Sequence, residues 1–134
     1  MTVRAFIGAL CGGVLLSTIP LTAHHSFSAE YDATKTIQVT GTVTKIEWTN
    51  PHARFYVDVK DESGRNTNWN FELGSPIALG RLGWKRDSVK IGDQITVEGY
   101  LAKDGSKMAN ARSATLADGR KIFAGSSAGD RATP

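Results

Sequence analysis

Residues 37–48 read IQVTGTVTKIEW, and the apolar alternation in this run changes phase part-way along. Ile37, Val39, Gly41 and Val43 stand on odd positions, whereas Ile46 and Trp48 continue on even ones. Successive side chains of a strand point to opposite faces, so a strand that serves one core keeps one phase. A phase change inside one run needs an extra residue, which predicts a bulge or sharp bend at Thr44–Lys45. Such a bend lets one strand serve two sides of a curled sheet. "TNP" at 49–51 then supplies a turn.

Two further strands follow. Over 52–60, Ala53, Phe55, Val57 and Val59 alternate with Arg54, Tyr56 and Asp58; over 67–73, Trp69, Phe71 and Leu73 alternate with Asn68, Asn70 and Glu72. The first set of each is predicted to face in and the second to face out, as in a half-buried antiparallel sheet. "DESGRN" between them is a hairpin connection, with Gly64 free to take positive φ. "GSPIALGRLGW" predicts a short helix: Ser75 as N-cap, Pro76 at the first helical position, and Gly83 to end it. A turn at Gly92-Asp93 precedes a fourth strand with Ile95 and Val97 inward. "AKDGSK" is another hairpin, 107–116 a fifth strand of weaker pattern, and "ADGRKIF" a last hairpin at Asp118-Gly119.

Three strands, a short helix, then two or three strands, with the first strand bent, is the element order of an oligonucleotide/oligosaccharide-binding (OB) fold. The fold class expected is therefore all-β with one short helix, a small OB-like antiparallel barrel of five to six strands. A curled meander or a small sandwich is the competing arrangement.

The chain has 134 residues, which allows one domain, and its 40% hydrophobic and 22% charged content is ordinary for a globular protein. Arg4 followed by an apolar run to about Leu16, a helix-breaking Pro20 and the small pair Thr22-Ala23 reads as a secretory signal over residues 1–23. The run is too short for a secure membrane span, so no transmembrane anchor is expected after processing. The single cysteine, Cys11, lies within it. A processed chain would have no disulfide and no thiol nucleophile. The rest divides into an extended N-terminal arm over 24–35, the OB-like domain over 36–123 and a disordered tail over 124–134. The expected compartment is the periplasm. With 16 basic and 13 acidic residues the charge excess is mild, and nucleic acid is not an expected partner.

Several blocks, "HHSFSAEYD", "GTVTKIEWTNPH", "WNFELGSP", "LGWKRDSVKIGD" and "TLADGRKIFAGSS", resemble a family of small exported proteobacterial proteins classed as a domain of unknown function. The resemblance runs from about His24 to Ser127. It implies export and a compact β-rich domain, and it implies no activity.

Three constellations could carry function. The first is histidine: the chain has three, His24, His25 and His52. Cleavage after Ala23 would give His24 a free α-amine, which with its imidazole Nδ1 can chelate one metal ion. A second imidazole opposite them, from His52, would complete a three-nitrogen set that suits Cu(II), with His25 assisting. Against this, histidine pairs also arise by chance after a cleavage site, and a His after Asn-Pro can simply cap a turn. Copper is the only cofactor this points to.

The second is the outward face of the second and third strands, where Arg54, Tyr56, Asn68 and Asn70 could hydrogen-bond a small polar ligand. The same residues could equally be a solvated face with cross-strand contacts. The third is "WTNPHARFY", which gathers Trp48, Asn50, His52, Arg54 and Tyr56 around one loop. Aromatic and Arg enrichment marks protein interfaces, so a periplasmic protein partner is also expected there, although Trp48 could instead belong to the core. No metalloprotease, redox dithiol, phosphate-loop or serine-hydrolase motif occurs in the sequence, and no enzyme activity is expected. The leading reading is an exported binding or accessory module, and the alternative is a copper-binding protein with a mature N-terminal histidine.

Overall fold

The computed structural model describes residues 27–125. One helical turn, α1 (Phe27–Glu30), leads into a long strand β1 (Tyr31–Glu47). Then come β2 (Arg54–Lys60), β3 (Asn66–Glu72), a short helix α2 (Pro76–Arg81), β4 (Gln94–Ala102), β5 (Met108–Thr115) and β6 (Lys121–Phe123). The strands hydrogen-bond in the order β3-β2-β1-β4-β5-β6, and β3 also pairs with β5. That last pairing closes β1, β2, β3, β5 and β4 into a ring, with β6 added at the side of β5. This is the OB-like order the sequence predicts, with its short helix between the third and fourth strands. All pairings are antiparallel except β3–β5, a parallel seam that aligns Asn70 with Met108, Phe71 with Ala109 and Glu72 with Asn110. A parallel pair needs a long crossover, and here α2 and β4 lie on the connecting chain.

The phase change falls where the alternation places it. Val43 stands opposite Val57 and Lys45 opposite Tyr56, so Thr44 is the extra residue. At the same point β1 passes from one neighbour to the other, since Thr42 is aligned with both Asp58 of β2 and Gln94 of β4. Gly41 makes the bend possible: a Cβ there would lie 2.2 Å from the Asp58 carbonyl oxygen. Only glycine allows two backbones to approach so closely.

At its N-terminal end β1 differs from the sequence reading. Within the described residues the expected extended arm is a helical turn followed by strand, and β1 starts at Tyr31 rather than Thr36. The register moves five residues along β1, from Tyr31 to Thr36, against two along β4, from Ala102 to Tyr100. This irregular stretch is why no alternation is visible there. Aromatic packing holds the segment, with Phe27 stacked on Tyr31 at 5.6 Å and edge-on to Tyr100 at 5.4 Å.

Inside the ring lie Val43, Phe55, Val57, Trp69, Phe71, Ile95 and Val97, with Leu73, Leu79 and Trp84 also in the cluster. Burying each large apolar side chain contributes about 1.5–3 kcal/mol. β5 looked weak in sequence because its core residues are small: Ala109, Ala111 and Ala114 are all fully buried. Helix α2 begins as its sequence dictates, with Ser75 Oγ accepting from the Ala78 N–H at 3.2 Å and Pro76 in the first turn. Gly83, at φ +93°, then turns the chain so that Trp84 folds back into the core and donates its indole N–H to the Phe123 carbonyl at 2.7 Å.

Ala124, expected at the start of a tail, is part of the packed domain. Ala124 is fully buried, its N–H donates to Arg112 O at 2.9 Å, and its carbonyl accepts from the Gly74 N–H at 2.8 Å. Small residues at the end of a sequence read as loose chain, yet here the chain runs hard against Gly74, where a Cβ would lie 2.6 Å from the Gly125 carbonyl oxygen. Residues 126–134 lie outside the described residues, as do the expected signal segment, His24 and His25. No helix among the described residues is long and apolar enough to cross a membrane.

Candidate functional site

The loop between β1 and β2 and the outward face of β2 and β3 adjoin one another, and the backbone fixes both. Ala53 bonds to the other strand in both directions, its N–H to Gly74 O at 3.0 Å and its carbonyl from the Leu73 N–H at 2.8 Å. Just before it, His52 is half-buried, and its Nδ1 lies 3.1 Å from the Leu73 carbonyl. A carbonyl only accepts, so Nδ1 carries the hydrogen and Nε2 keeps its lone pair in the neutral ring. The preceding Asn50–Pro51 peptide is cis, and Asn50 itself is exposed.

On the outward face, the register sets Arg54 opposite Glu72, Tyr56 opposite Asn70 and Asp58 opposite Asn68. The sequence reading put Glu72 in solvent, and this is corrected: Glu72 is only 6% exposed. One carboxylate oxygen pairs with Nη2 of Arg54, and the other accepts from Asn110 Nδ2 of β5 at 3.4 Å. Arg54 Nη1 reaches Asn70 Oδ1 at 3.2 Å and Met108 Sδ at 3.6 Å. A carboxylate this deep is tolerable only when paired and hydrogen-bonded. Tyr31 completes the cluster: its hydroxyl is buried near Glu72, with no well-formed hydrogen bond among the described residues. Burial, reinforced by the nearby Glu72 charge, raises the phenol well above its ordinary value.

Beyond this cluster the face is polar and open. The Tyr56 hydroxyl donates to Glu47 at 3.2 Å, while the Lys45 ammonium sits 4.9 Å above the Tyr56 ring. Lys45, hydrogen-bonded to Glu47, holds that carboxylate below its usual range. Asn68 lies farther along the same face: its Nδ2 donates to Asp58 Oδ1 at 2.7 Å and Thr44 Oγ1 at 3.1 Å, tying it to the bulge.

Trp48 turns the other way. It packs, half-buried, against the core and walls an apolar cleft with Ile46, Leu73, Trp84 and Val89. Lys85 and Arg86 also line this cleft. Trp84 and Val89 are themselves buried, and the cleft is small, about 10 Å³, room for about one water.

The structure thus gathers Arg54, Tyr56, Asn70 and, farther along, Asn68 on one face, with His52 and Asn50 in the adjoining loop, while Trp48 turns to the cleft that Arg54 also lines. Sequence reasoning missed Tyr31, Glu72 and Asn110 as one buried polar group, and Val89 as part of the cleft with Trp48. Among the described residues no group of three or more His, Cys, Asp or Glu side chains is placed to hold a metal ion.

A family of unknown function (DUF6152) has a model that matches residues 13–111, from ahead of α1 into β5. The chain belongs to this family. The matched span includes the bent strand, the β1–β2 loop and the whole outward face of β2 and β3. No curated protein and no solved structure matches the chain.

Proposed function

We propose that this family member is an exported, periplasmic binding module that holds a protein or small polar partner at the Trp48 end of the ring and the adjoining face of β2 and β3. The observation that carries the reading is the small apolar cleft between Trp48 and Trp84, bordered by Arg54 and set beside a loop anchored through His52 and Ala53. A concave apolar surface with a few convergent polar groups is what binding sites have in common. Export is supported by the apolar run after Arg4 and the small residues before His24.

The test is photo-crosslinking in intact cells from a benzophenone amino acid at position 50, compared with one at position 66 in the opposite hairpin. We expect a discrete adduct from position 50 that disappears in Trp48→Ala. Equal labelling from both positions, or none, would overturn the reading. Mass spectrometry of the periplasmic fraction should find His24 as the first residue of the mature chain.

A second reading is favoured by one observation: the Nδ1 contact of His52 with the Leu73 carbonyl is the supporting contact that metal-ligating histidines commonly have, and it leaves Nε2 available. In this reading the α-amine and imidazole of His24, with His52 and assisted by His25, bind one Cu(II). Processed protein should then show a three-nitrogen Cu(II) signal by electron paramagnetic resonance. That signal should be lost in His52→Ala and when a Met precedes His24; persistence in either case sinks the copper reading.

A further inference from the structure

We propose that residues Phe27–Tyr31 form a strap that swings about residues 32–35 and gates a polar groove at the Arg54–Glu72 end of the β2–β3 face. Access to this groove is a property of the domain itself, separate from what the face binds. The hinge is visible in the register. Tyr31 is opposite Ala102 and Thr36 opposite Tyr100, so residues 32–35 stand against Leu101 alone. Ala33, Thr34 and Lys35 are exposed. Asp32 turns back on its own segment, accepting from the Thr34 N–H at 2.9 Å and from its hydroxyl at 2.6 Å. A stretch that leaves the ladder and makes its own turn can change direction while the strand beyond it stays paired.

The strap is tied to the far end of β4. The Lys103 N–H donates to Glu30 O at 2.9 Å, the Lys103 ammonium donates to Ser28 O at 2.5 Å, and Phe27 lies edge-on to Tyr100. Lys103 and Ser28 are both exposed, so water competes for the ammonium bond. Within the strap Tyr31 is fully buried, whereas α1 ahead of it has no buried residue. What lies under the strap is polar. Ala29 and Glu30 form one wall of an open groove of about 390 Å³, and Arg54, Lys103, Asp104 and Met108 form the rest. Arg54 joins this groove to the buried Glu72, beside which the Tyr31 hydroxyl sits with no well-formed hydrogen bond. Lifting Tyr31 returns water to a carboxylate and a phenol, which offsets part of the apolar contact that is lost. Segments with few buried apolar contacts are the first to open. With the strap lifted, Glu72 joins Arg54 and Asn70 at the groove, so a polar ligand that reaches this carboxylate must displace Tyr31 first.

The test is native-state hydrogen exchange on the full processed chain, read by nuclear magnetic resonance. The Lys103 amide loses its acceptor, Glu30 O, when the strap lifts. Two other amides serve as controls. That of Asn70, bonded to Lys107 O at 3.0 Å, reports fraying of the β4–β5 hairpin, and that of Leu73, bonded to Ala53 O at 2.8 Å, reports opening of the ring. We expect the Lys103 amide to exchange through an opening at least about tenfold more populated than that of Leu73, and with a weaker dependence on urea because less surface is exposed. Phe27→Ala should raise this opening by about tenfold more and leave Asn70 and Leu73 within about twofold. Should Phe27→Ala fail to fold, Lys103→Met removes the ammonium tie, keeps the reporting amide and should act in the same direction by several-fold. Access is read separately from Ala102→Cys, the one cysteine of a chain that starts at His24. Ala102 is 7% exposed and stands opposite Tyr31, so its reaction with a thiol reagent should quicken by the same factor in each strap variant. Lys103 exchange in step with Leu73, acceleration of Asn70 along with it, or labelling indifferent to the strap variants each overturns the strap. None of these results touches the position-50 adduct, which tests the binding reading by itself.

Discussion

Arg54 stands directly opposite Glu72 in the β2–β3 register, and its guanidinium pairs with a carboxylate that is almost wholly buried. The Arg54 side chain is 26% exposed, so one partner lies at the surface and the other beneath it. Removing the cation alone leaves the carboxylate charged and enclosed. Arg54→Met should therefore cost about 3 kcal/mol, measured as the shift in urea unfolding. Arg54→Met/Glu72→Leu should recover most of that loss. Equal stability of the single and double variants would show that the pair does not carry this cost.

Tyr31 supplies the alkaline limb of the stability profile. Its phenol ionises at higher pH in the folded chain than in the unfolded one, chiefly because it is buried. A group raised on folding contributes its stability below the unfolded value, about 10 for tyrosine, and loses it as pH rises beyond. Unfolding midpoints should fall above about pH 10, and Tyr31→Phe should flatten that fall. At neutral pH the same change should move stability by no more than about 1 kcal/mol, because among the described residues the buried hydroxyl has no well-formed hydrogen bond to lose.

The acid limb comes from turn carboxylates. Asp61 is held below its ordinary range first by the Ser63 hydroxyl and then by the Arg65 N–H; Asp118 is held down first by the Arg120 N–H. A value lowered on folding contributes stability above the unfolded pKa, about 4, and loses it as pH falls toward the folded one. Unfolding midpoints should drop below about pH 4, and Asp61→Asn/Asp118→Asn should make that drop shallower. An unchanged acid profile would assign it to other carboxylates.

Gly41 and Gly80 should respond to alanine with opposite signs. At Gly41 the new methyl would meet the Asp58 carbonyl at 2.2 Å, which forces β1 and β2 apart at the bend. The cost should be about 3 kcal/mol. At Gly80, inside α2, nothing lies within 4 Å of the new methyl, and helix propensity alone should stabilise the domain by about 0.5–1 kcal/mol. Thermal unfolding of the two variants checks both.

Chains ended after Gly125 and after Phe123 should differ. The shorter one loses the two backbone hydrogen bonds of Ala124 and its buried methyl. We expect it to be less stable by about 2 kcal/mol. Equal melting of the two would place Ala124 outside the cooperative unit.

Much of the frame was legible in the sequence because it depends on local periodicity. The phase change at Thr44, the inward Phe55–Val57 and Trp69–Phe71 sets, and the Ser75-Pro76 start of α2 each follow from neighbours in the chain. What alternation cannot say is what covers a face. Glu72 points outward as its position dictates, yet Tyr31 and Asn110 arrive from distant strands to enclose it. The opposite problem hides β5 and Ala124, where small residues carry little hydrophobic signal but fit where backbones approach. The cleft was half visible: Trp48 was a candidate from its loop, whereas Trp84 and Val89 face it only because Gly83 reverses the chain.

The parallel seam between β3 and β5 and the antiparallel β1–β4 ladder both join distant parts of the chain, which bears on the kinetics of assembly. The β2–β3 and β4–β5 hairpins are local and can form early, but Asn70 meets Met108 only after the intervening chain has closed a long loop. Such closure is entropically opposed before the seam offers any contact in return, which slows folds rich in distant pairings. Both closures should slow refolding more than either turn does. A substitution at the seam, at Met108 for example, should slow refolding if the seam forms before the barrier and speed unfolding if it forms after.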